Sequence, residues 1–387
     1  MPKIPMYQKI YEDVLASIRT GEASPGDRID SEDSLAEKYG VSRITTKKAL
    51  SLLGEEGYII RKPGKGSFVA DSASVAAVDR KVKDTVRKKL GFIIDYVGNS
   101  FALNLFNQIS LQGTETGYDM LISVSHASQE VEMRAIDAMK QSGCNGIILV
   151  PVLREFYNQE IIRSIADHYP ILTIDRELAG LPSPCVSTDH RKASAELTAY
   201  LIQREHKHIA FFHTRPNVSK SEGLRASGYH DMMVQHALSD TASIFTPTVH
   251  FGTHLLPFAA GIASPDSEAQ QKIAQIEAEI LTFFDANPHV TAVVCCTHPM
   301  AYLTYTLLMR MGKSIPADIS IVCFDEMEQI QRTVHFTHFH QNEIGIAQHA
   351  LQLMGTLISD GVTTENAANI FVPGSIVEGN TVRAISE

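Results

Sequence analysis

The chain has no run of about eighteen consecutive apolar residues, the length a helix needs to cross a bilayer. Its first residues, MPKIPMYQKIYEDVL, hold no basic stretch followed by an apolar segment. Neither a membrane span nor a secretion leader is expected, which leaves the cytoplasm as the default location. Cysteine is scarce, and the five that occur are Cys144, Cys185, Cys295, Cys296 and Cys323. They show no CxxC spacing and lie in or beside apolar runs such as TAVVCC and ISIVCF. This argues against a disulfide scaffold or a four-ligand zinc site and for buried thiols. The catalytic signatures GxSxG, GxxxxGK[ST] and HExxH are also missing. The nearest approach to a metal cluster is His335, His338 and His340, where alternate residues share a strand face; a half-buried strand explains them better. No catalytic residue, cofactor or metal is expected.

What is present fits a globular protein of more than one unit. At 387 residues the chain exceeds what one core usually organises, and 44% hydrophobic with 20% charged residues is ordinary composition. Charge is unevenly spread. Residues 1–90 carry 17 Lys+Arg against 13 Asp+Glu, a net +4, whereas the remainder carries 17 against 31, a net −14. One segment facing phosphate and another not would produce this asymmetry.

The first seventy residues read as a compact series of elements. Residues 7–19 set Ile10, Val14, Leu15 and Ile18 near one helix face, with Gly21 as a stop. After the Pro25-Gly26 turn, Ser31 caps a short helix, SEDSLAEKYG, whose acidic residues suit its N-terminus and which Gly40 closes. Ser42 then opens SRITTKKALSLLGEEG. There Ala49, Leu50, Leu52 and Leu53 face inward while Arg43, Thr45, Thr46, Lys47 and Lys48 crowd the first turns. Two helices across a short glycine-containing turn form a helix-turn-helix, and the start of the second helix is the part that reaches base edges and phosphates. Tyr58 to Arg61 and Ser67 to Ala70, joined by Pro63-Gly64-Lys65-Gly66, form a hairpin whose small basic tip suits a minor groove.

Together, and most closely over GVSRITTKKALSLLGEEGYIIRKPGKGSFV, these elements resemble the GntR-type winged helix-turn-helix. The resemblance implies double-stranded operator DNA as a partner. It implies DNA contacts from Arg43, Thr45, Thr46 and Lys47 of the recognition helix and from Gly64, Lys65 and Gly66 of the wing. The chain departs from the family at Asp30-Ser31-Glu32-Asp33, which lacks the arginine commonly found there. The small, charged residues 71–89 read as a linker, giving units of 1–70 and 90–387 on either side.

From Leu90 onward, short apolar runs such as LGFIIDYV, GIILV, ILTID, HIAFFH, TAVVCC and DISIVCF alternate with helical stretches. The fold class is therefore α/β, with parallel sheets covered on both faces. Ligands in such sheets bind beyond the carboxyl ends of strands. The stretches NGIILVP, PILTIDRELAG, VSTDHRKAS, RASGYHDMM, KSIPADISIVCFDE and FTHFHQNEIGIAQHAL resemble the LacI/GalR family and its periplasmic sugar-binding relatives. That resemblance implies two lobes joined by three crossovers. The first lobe would be near 90–201 plus about 342–358, and the second near 202–341 plus the C-terminal strand. It also implies an effector-stacking aromatic at Phe101 and polar effector contacts from Arg176, Asp189, Arg225, Asp325 and Gln341. Thr297 and His298 replace an Asn-Asp pair common in the family, and a protonated His298 would receive a carboxylate or phosphate.

A GntR-type head on a LacI-type sensor is similar in architecture to arabinose-responsive repressors. The expected function is a homodimeric repressor of carbohydrate-utilisation genes, not an enzyme, whose DNA affinity is controlled by a small sugar. A charged sugar derivative or other metabolite, an activator role, and a solute-binding protein remain as alternatives.

Overall fold

The computed structural model describes residues 5–62, 65–71, 87–152, 156–178, 180–214, 220–251, 255, 267–326, 334–361 and 368–385. The chain divides into two compact units, Met1–Arg87 and Lys88–Glu387. The first contains helices α1 (Met6–Arg19), α2 (Glu32–Tyr39) and α3 (Arg43–Glu55), then strands β1 (Ile59–Lys62) and β2 (Gly66–Val69). Ile10, Leu35, Ala49, Leu50, Leu53, Tyr58 and Val69 form its core. Local chemistry sets the boundaries. Ser31 Oγ accepts from the Ser34 amide at 3.1 Å, and Gly40 ends α2 at φ +64°, a left-handed conformation that glycine adopts without strain. β1 and β2 pair antiparallel from Ile59 opposite Val69 to Lys62 opposite Gly66.

The larger unit begins with β3 (Lys89–Ile94), α4 (Ser100–Glu115), β4 (Asp119–Val124), α5 (Gln129–Gln141) and β5 (Gly146–Leu149). Next come α6 (Gln159–Ala166), β6 (Ile171–Ile174), β7 (Cys185–Ser187), α7 (His190–Ile202), β8 (Ile209–Phe212), α8 (Lys220–Gln235) and β9 (Ser243–Phe245). It ends with α9 (Ser267–Ala286), β10 (Ala292–Cys295), α10 (His298–Arg310), β11 (Ser320–Phe324), β12 (Thr337–His340), α11 (Glu343–Asp360), β13 (Ile370–Phe371) and β14 (Ser375–Val377). Strands β5, β6, β8, β10 and β11 are buried at every position, as continuous apolar runs sandwiched between helices should be.

Two six-stranded sheets result, ordered β13-β7-β6-β5-β3-β4 and β14-β12-β11-β10-β8-β9. All pairings are parallel except that of β14 with β12. The chain passes between the sheets three times: from β7 into α7, from β12 into α11, and from β13 into β14. One boundary differs from expectation. Ala193, Leu197 and Leu201 of α7 pack with Ile209, Phe211, Tyr229 and Met233, so α7 belongs to the second lobe and the first crossover lies before His190, not near 201. The sequence marks residues 190–204 as a helix without saying which sheet it covers. In the first lobe, Ile346, Ala347 and Ala350 of α11 pack with Leu90 and Phe92. α7 and α8 approach so closely that a Cβ on Gly228 would fall 1.9 Å from the Arg191 carbonyl oxygen.

All five cysteines are buried and unpaired by disulfide. His338 is buried and contacts the Phe336 carbonyl through Nδ1 at 2.9 Å, and Thr337 and Phe339 beside it are buried too, so this is a core strand and not the half-buried one expected. Among the described residues no helix is long and apolar enough to cross a membrane, and no group of His, Cys, Asp and Glu is placed to hold a metal ion.

Candidate DNA-reading face and effector cleft

In the first unit, α3 buries one stripe, Thr46, Ala49, Leu50 and Leu53, and turns Arg43, Ile44, Lys47 and Lys48 outward. Thr46 is therefore a correction. Its hydroxyl donates to the carbonyls of Glu32 and Arg43 at 2.9 and 3.0 Å and the residue is fully buried, so it fastens α3 to α2 and is not placed to touch DNA. Thr45 is half-buried, 3.0 Å from Ser42 Oγ, and the Lys48 ammonium stacks over the Tyr7 ring at 3.9 Å. Lys65 and Gly66 are exposed at the wing, whereas Gly64 lies outside the described residues.

Arg43 is not idle. Its Nε lies 3.3 Å from Glu32 and 3.4 Å from Asp33, while Arg61 pairs with Glu32 and donates to Ser51 Oγ at 3.0 Å. With a duplex seated on α3, Asp33, where the family commonly has arginine, would compete with phosphate for this cation. Asp33→Asn is expected to tighten duplex binding about two- to fivefold, the range of an exposed ion pair, in a fluorescence-anisotropy titration at low salt; unchanged or weaker binding would count against this competition.

In the larger unit, polar groups gather at the carboxyl ends of strands from both sheets. Arg176, just past β6, donates through Nη1 to Asp95 Oδ2 and the Pro151 carbonyl, both at 2.6 Å, and its Nε lies 3.5 Å from Asp175. Asp175 in turn lies 3.2 Å from His190 Nε2. On the imidazole's other side, Arg225 Nε and Nη2 lie 3.4 and 3.3 Å from His190 Nδ1. Arg225 also donates to the Cys296 carbonyl at 2.5 Å and lies over the Phe324 ring at 3.8 Å. With arginine donating to Nδ1, the ring hydrogen falls on Nε2, facing Asp175. This chain joins the first sheet to the second lobe, as does the exposed Lys220–Glu177 pair at 2.6 Å.

Asp175 and Asp325 occupy corresponding places, each following the third strand of its sheet, and both are left-handed at φ +67° and +61°. Non-glycine residues hold such a conformation where surrounding structure enforces it, often at functional sites. Gln341, at the second crossover, donates through Nε2 to both Asp325 oxygens at 3.1 and 2.9 Å. Burial pushes the Asp175 carboxyl up, but His190, Arg176 and Arg225 more than reverse this and hold it at about 2. For Asp325 burial prevails over Arg225 and Gln341 and leaves its pKa raised. Arg176, which burial alone would lower, is raised by Asp95 and Asp175.

The remaining expected contacts are less uniform. Asp189 caps α7, accepting from the Lys192 amide at 3.0 Å. Phe101, only 9% exposed, packs in the first-lobe core with Ile94 and Leu105. The Thr297 hydroxyl, both His298 ring nitrogens and Gln341 Oε1 are buried without a hydrogen-bond partner among the described residues, and buried polar atoms ordinarily find one. His298 needs correcting as an anion receiver. It is 2% exposed between Tyr302 and Phe336, and burial, with the nearby His338, lowers it from 6.5 to about 4, so it is uncharged at neutral pH.

Several residues of this network escaped the sequence reading. Asp95, Asp175 and His190 all lie in quoted stretches, but Asp95 meets Arg176 across the first sheet and Asp175 meets His190 between lobes, and no local spacing reveals either. Glu222, one helical turn before Arg225, accepts from Thr214 Oγ1 at 2.7 Å. Buried Glu132 accepts from the Val152 amide at 2.7 Å, pinning the loop after β5.

Residues 6–69 match the gntR family of bacterial regulatory proteins. Residues 87–249 match the periplasmic binding proteins and sugar binding domain of the LacI family, and 198–382 the periplasmic binding protein-like domain. The chain is 24% identical to the arabinose metabolism transcriptional repressor of Geobacillus stearothermophilus over 98% of each protein. A solved LacI transcriptional regulator from a Rhodococcus species aligns over 77% of this chain and 99% of its own, with TM-score 0.59 and 22% identity. A ribose-bound LacI family regulator from Enterococcus faecium aligns over 77% and 100%, with TM-score 0.58 and 16% identity. The protein is thus a GntR-type helix-turn-helix head fused to a LacI-type, periplasmic-binding-protein-like domain.

Proposed function

We propose that this protein is a transcriptional repressor of carbohydrate-utilisation genes, which holds operator DNA with the face formed by α3 and the wing and releases it when an uncharged sugar fills the cleft between its lobes. The observation that carries the choice of an uncharged ligand is the matching of the cleft's own charges. Arg176 is held by Asp95 and Asp175, and Arg225 lies within the field of Asp175 and Asp325. His298 stays neutral. An anion would therefore meet carboxylates without a spare cation among the described residues. Hydroxyl-binding capacity is ample: a carboxylate accepts from adjacent hydroxyls, a guanidinium donates, and Thr297 and Gln341 hold oxygens without a partner among the described residues. The arabinose-metabolism relative and the ribose-bound neighbour support the same ligand class.

In this reading Phe101, Arg176, Asp189, Arg225, Thr297, Asp325 and Gln341 surround the sugar, which leaves chemically unchanged. Two sensor units pair as a homodimer and offer two heads to a pseudo-palindromic operator in the cytoplasm. The ligand shifts operator affinity only by as much as it prefers one conformation over the other. A thermal-melting screen against pentoses, hexoses, disaccharides, sugar acids and sugar phosphates tests the ligand class. A neutral sugar at about a hundred times its Kd stabilises the native state by about 2.7 kcal/mol and raises Tm. A shift confined to sugar acids or phosphates would overturn the neutral-sugar reading.

A further inference from the structure

Ile44 is 80% exposed, more than any other large apolar side chain among the described residues. It is the second residue of α3, between exposed Arg43 and half-buried Thr45 and one turn before exposed Lys47. Thr46, Ala49, Leu50 and Leu53 fill the opposite, buried stripe, so Ile44 is turned away from the core by the helix period itself. A β-branched apolar residue there serves neither core packing nor helix propensity, and the polar residues beside it would leave a lone hydrophobic contact to make. The cations on either side favour a polyanion as the surface that covers it. On a duplex, the apolar group displayed in the major groove is the thymine C5-methyl.

We propose that Ile44 packs against a thymine methyl in each operator half-site and so determines base specificity at that position, while Arg43 and Lys47 hold the phosphate backbone. This rests on the DNA-binding function above. In the test, duplexes are first enriched from a random pool with the full-length protein. Each thymidine of the enriched sequence is then replaced singly by deoxyuridine, which removes only the methyl group. One thymine per half-site is expected at which this weakens wild-type binding about fourfold, the worth of one buried methyl-sized group.

Ile44→Ala is expected to lose at least as much affinity for the parent duplex, to become indifferent to deoxyuridine at that position, and to keep the wild-type salt dependence because no phosphate contact is lost. Its Tm should match wild type, since the side chain supports no packing. A methyl effect that persists in Ile44→Ala, the absence of any methyl-sensitive thymine, or wild-type affinity in the variant would each overturn the assignment. Failure of the wild-type protein to enrich any duplex is a separate result, which would overturn the regulatory function and this assignment with it.

Discussion

Replacing Arg225 by alanine is expected to leave DNA binding by the head intact while removing the response to ligand. The residue is 6% exposed, donates to the Cys296 carbonyl at 2.5 Å and lies 3.3–3.4 Å from His190. It also contributes a positive field at Asp175 and Asp325. Without it, two partly buried carboxylates lose a nearby positive field and a carbonyl loses its donor. Leaving that buried carbonyl without its donor costs about 1–3 kcal/mol, which urea unfolding would register. If the guanidinium also gives the sugar two charge-assisted hydrogen bonds, each worth about 1.5 kcal/mol or more, affinity falls about a hundredfold or further. Calorimetric titration with the sugar found by the melting screen measures this. Arg225→Lys should be intermediate, keeping charge but losing the planar fork. Wild-type sugar affinity in Arg225→Ala would remove Arg225 from the site.

Acid stability provides the second large effect. His298 falls from an ordinary 6.5 to about 4 in the folded protein, so between these values the unfolded chain takes up a proton that the native state refuses. Its contribution to stability is complete above pH 6.5 and is lost as pH falls toward 4, by about 3 kcal/mol in all. His206, also lowered by burial, adds loss in the same direction. Asp175, lowered from 3.8 to about 2, contributes stability that is present above pH 4 and disappears on further acidification. Asp325 and Glu132, both raised by burial above their ordinary values, bind protons more readily when folded at pH above those values, and so offset part of the earlier His298 loss but not that of Asp175. Urea unfolding at pH 7.0 and 4.5 should show a smaller drop for His298→Gln than for wild type, by about 2–3 kcal/mol. Equal drops would mean that His298 is accessible to protons in the native state.

Legibility in the sequence followed the range of the interactions involved. In the head, caps and stops act within a few residues, so Ser31, Gly40 and the hairpin could be read directly. Even the error at Thr46 was avoidable, because the period that selects Ala49, Leu50 and Leu53 puts Thr46 on the same stripe. In the sensor, apolar runs disclosed the strands, but the side of the cleft to which α7 belongs depends on contacts between Leu197 and residues such as Phe211 and Tyr229. The site shows the same division. Arg176, Arg225, Asp325 and Gln341 stand at readable strand ends or in a readable motif. Their partners are set by long-range geometry, Asp95 by neighbouring strand ends of the first sheet and Asp175 with His190 by a contact between lobes, and the neutrality of His298 comes from burial beneath Tyr302 and Phe336.

The most direct test of ligand-controlled DNA binding is to titrate neutral sugars into the full-length protein bound to a fluorescent duplex of its enriched sequence. One neutral sugar is expected to weaken duplex affinity by about 5- to 150-fold, and saturating duplex should weaken affinity for that sugar by the same factor. A sugar that binds the protein and leaves duplex affinity unchanged, or release by anionic sugars alone, would contradict the proposed function.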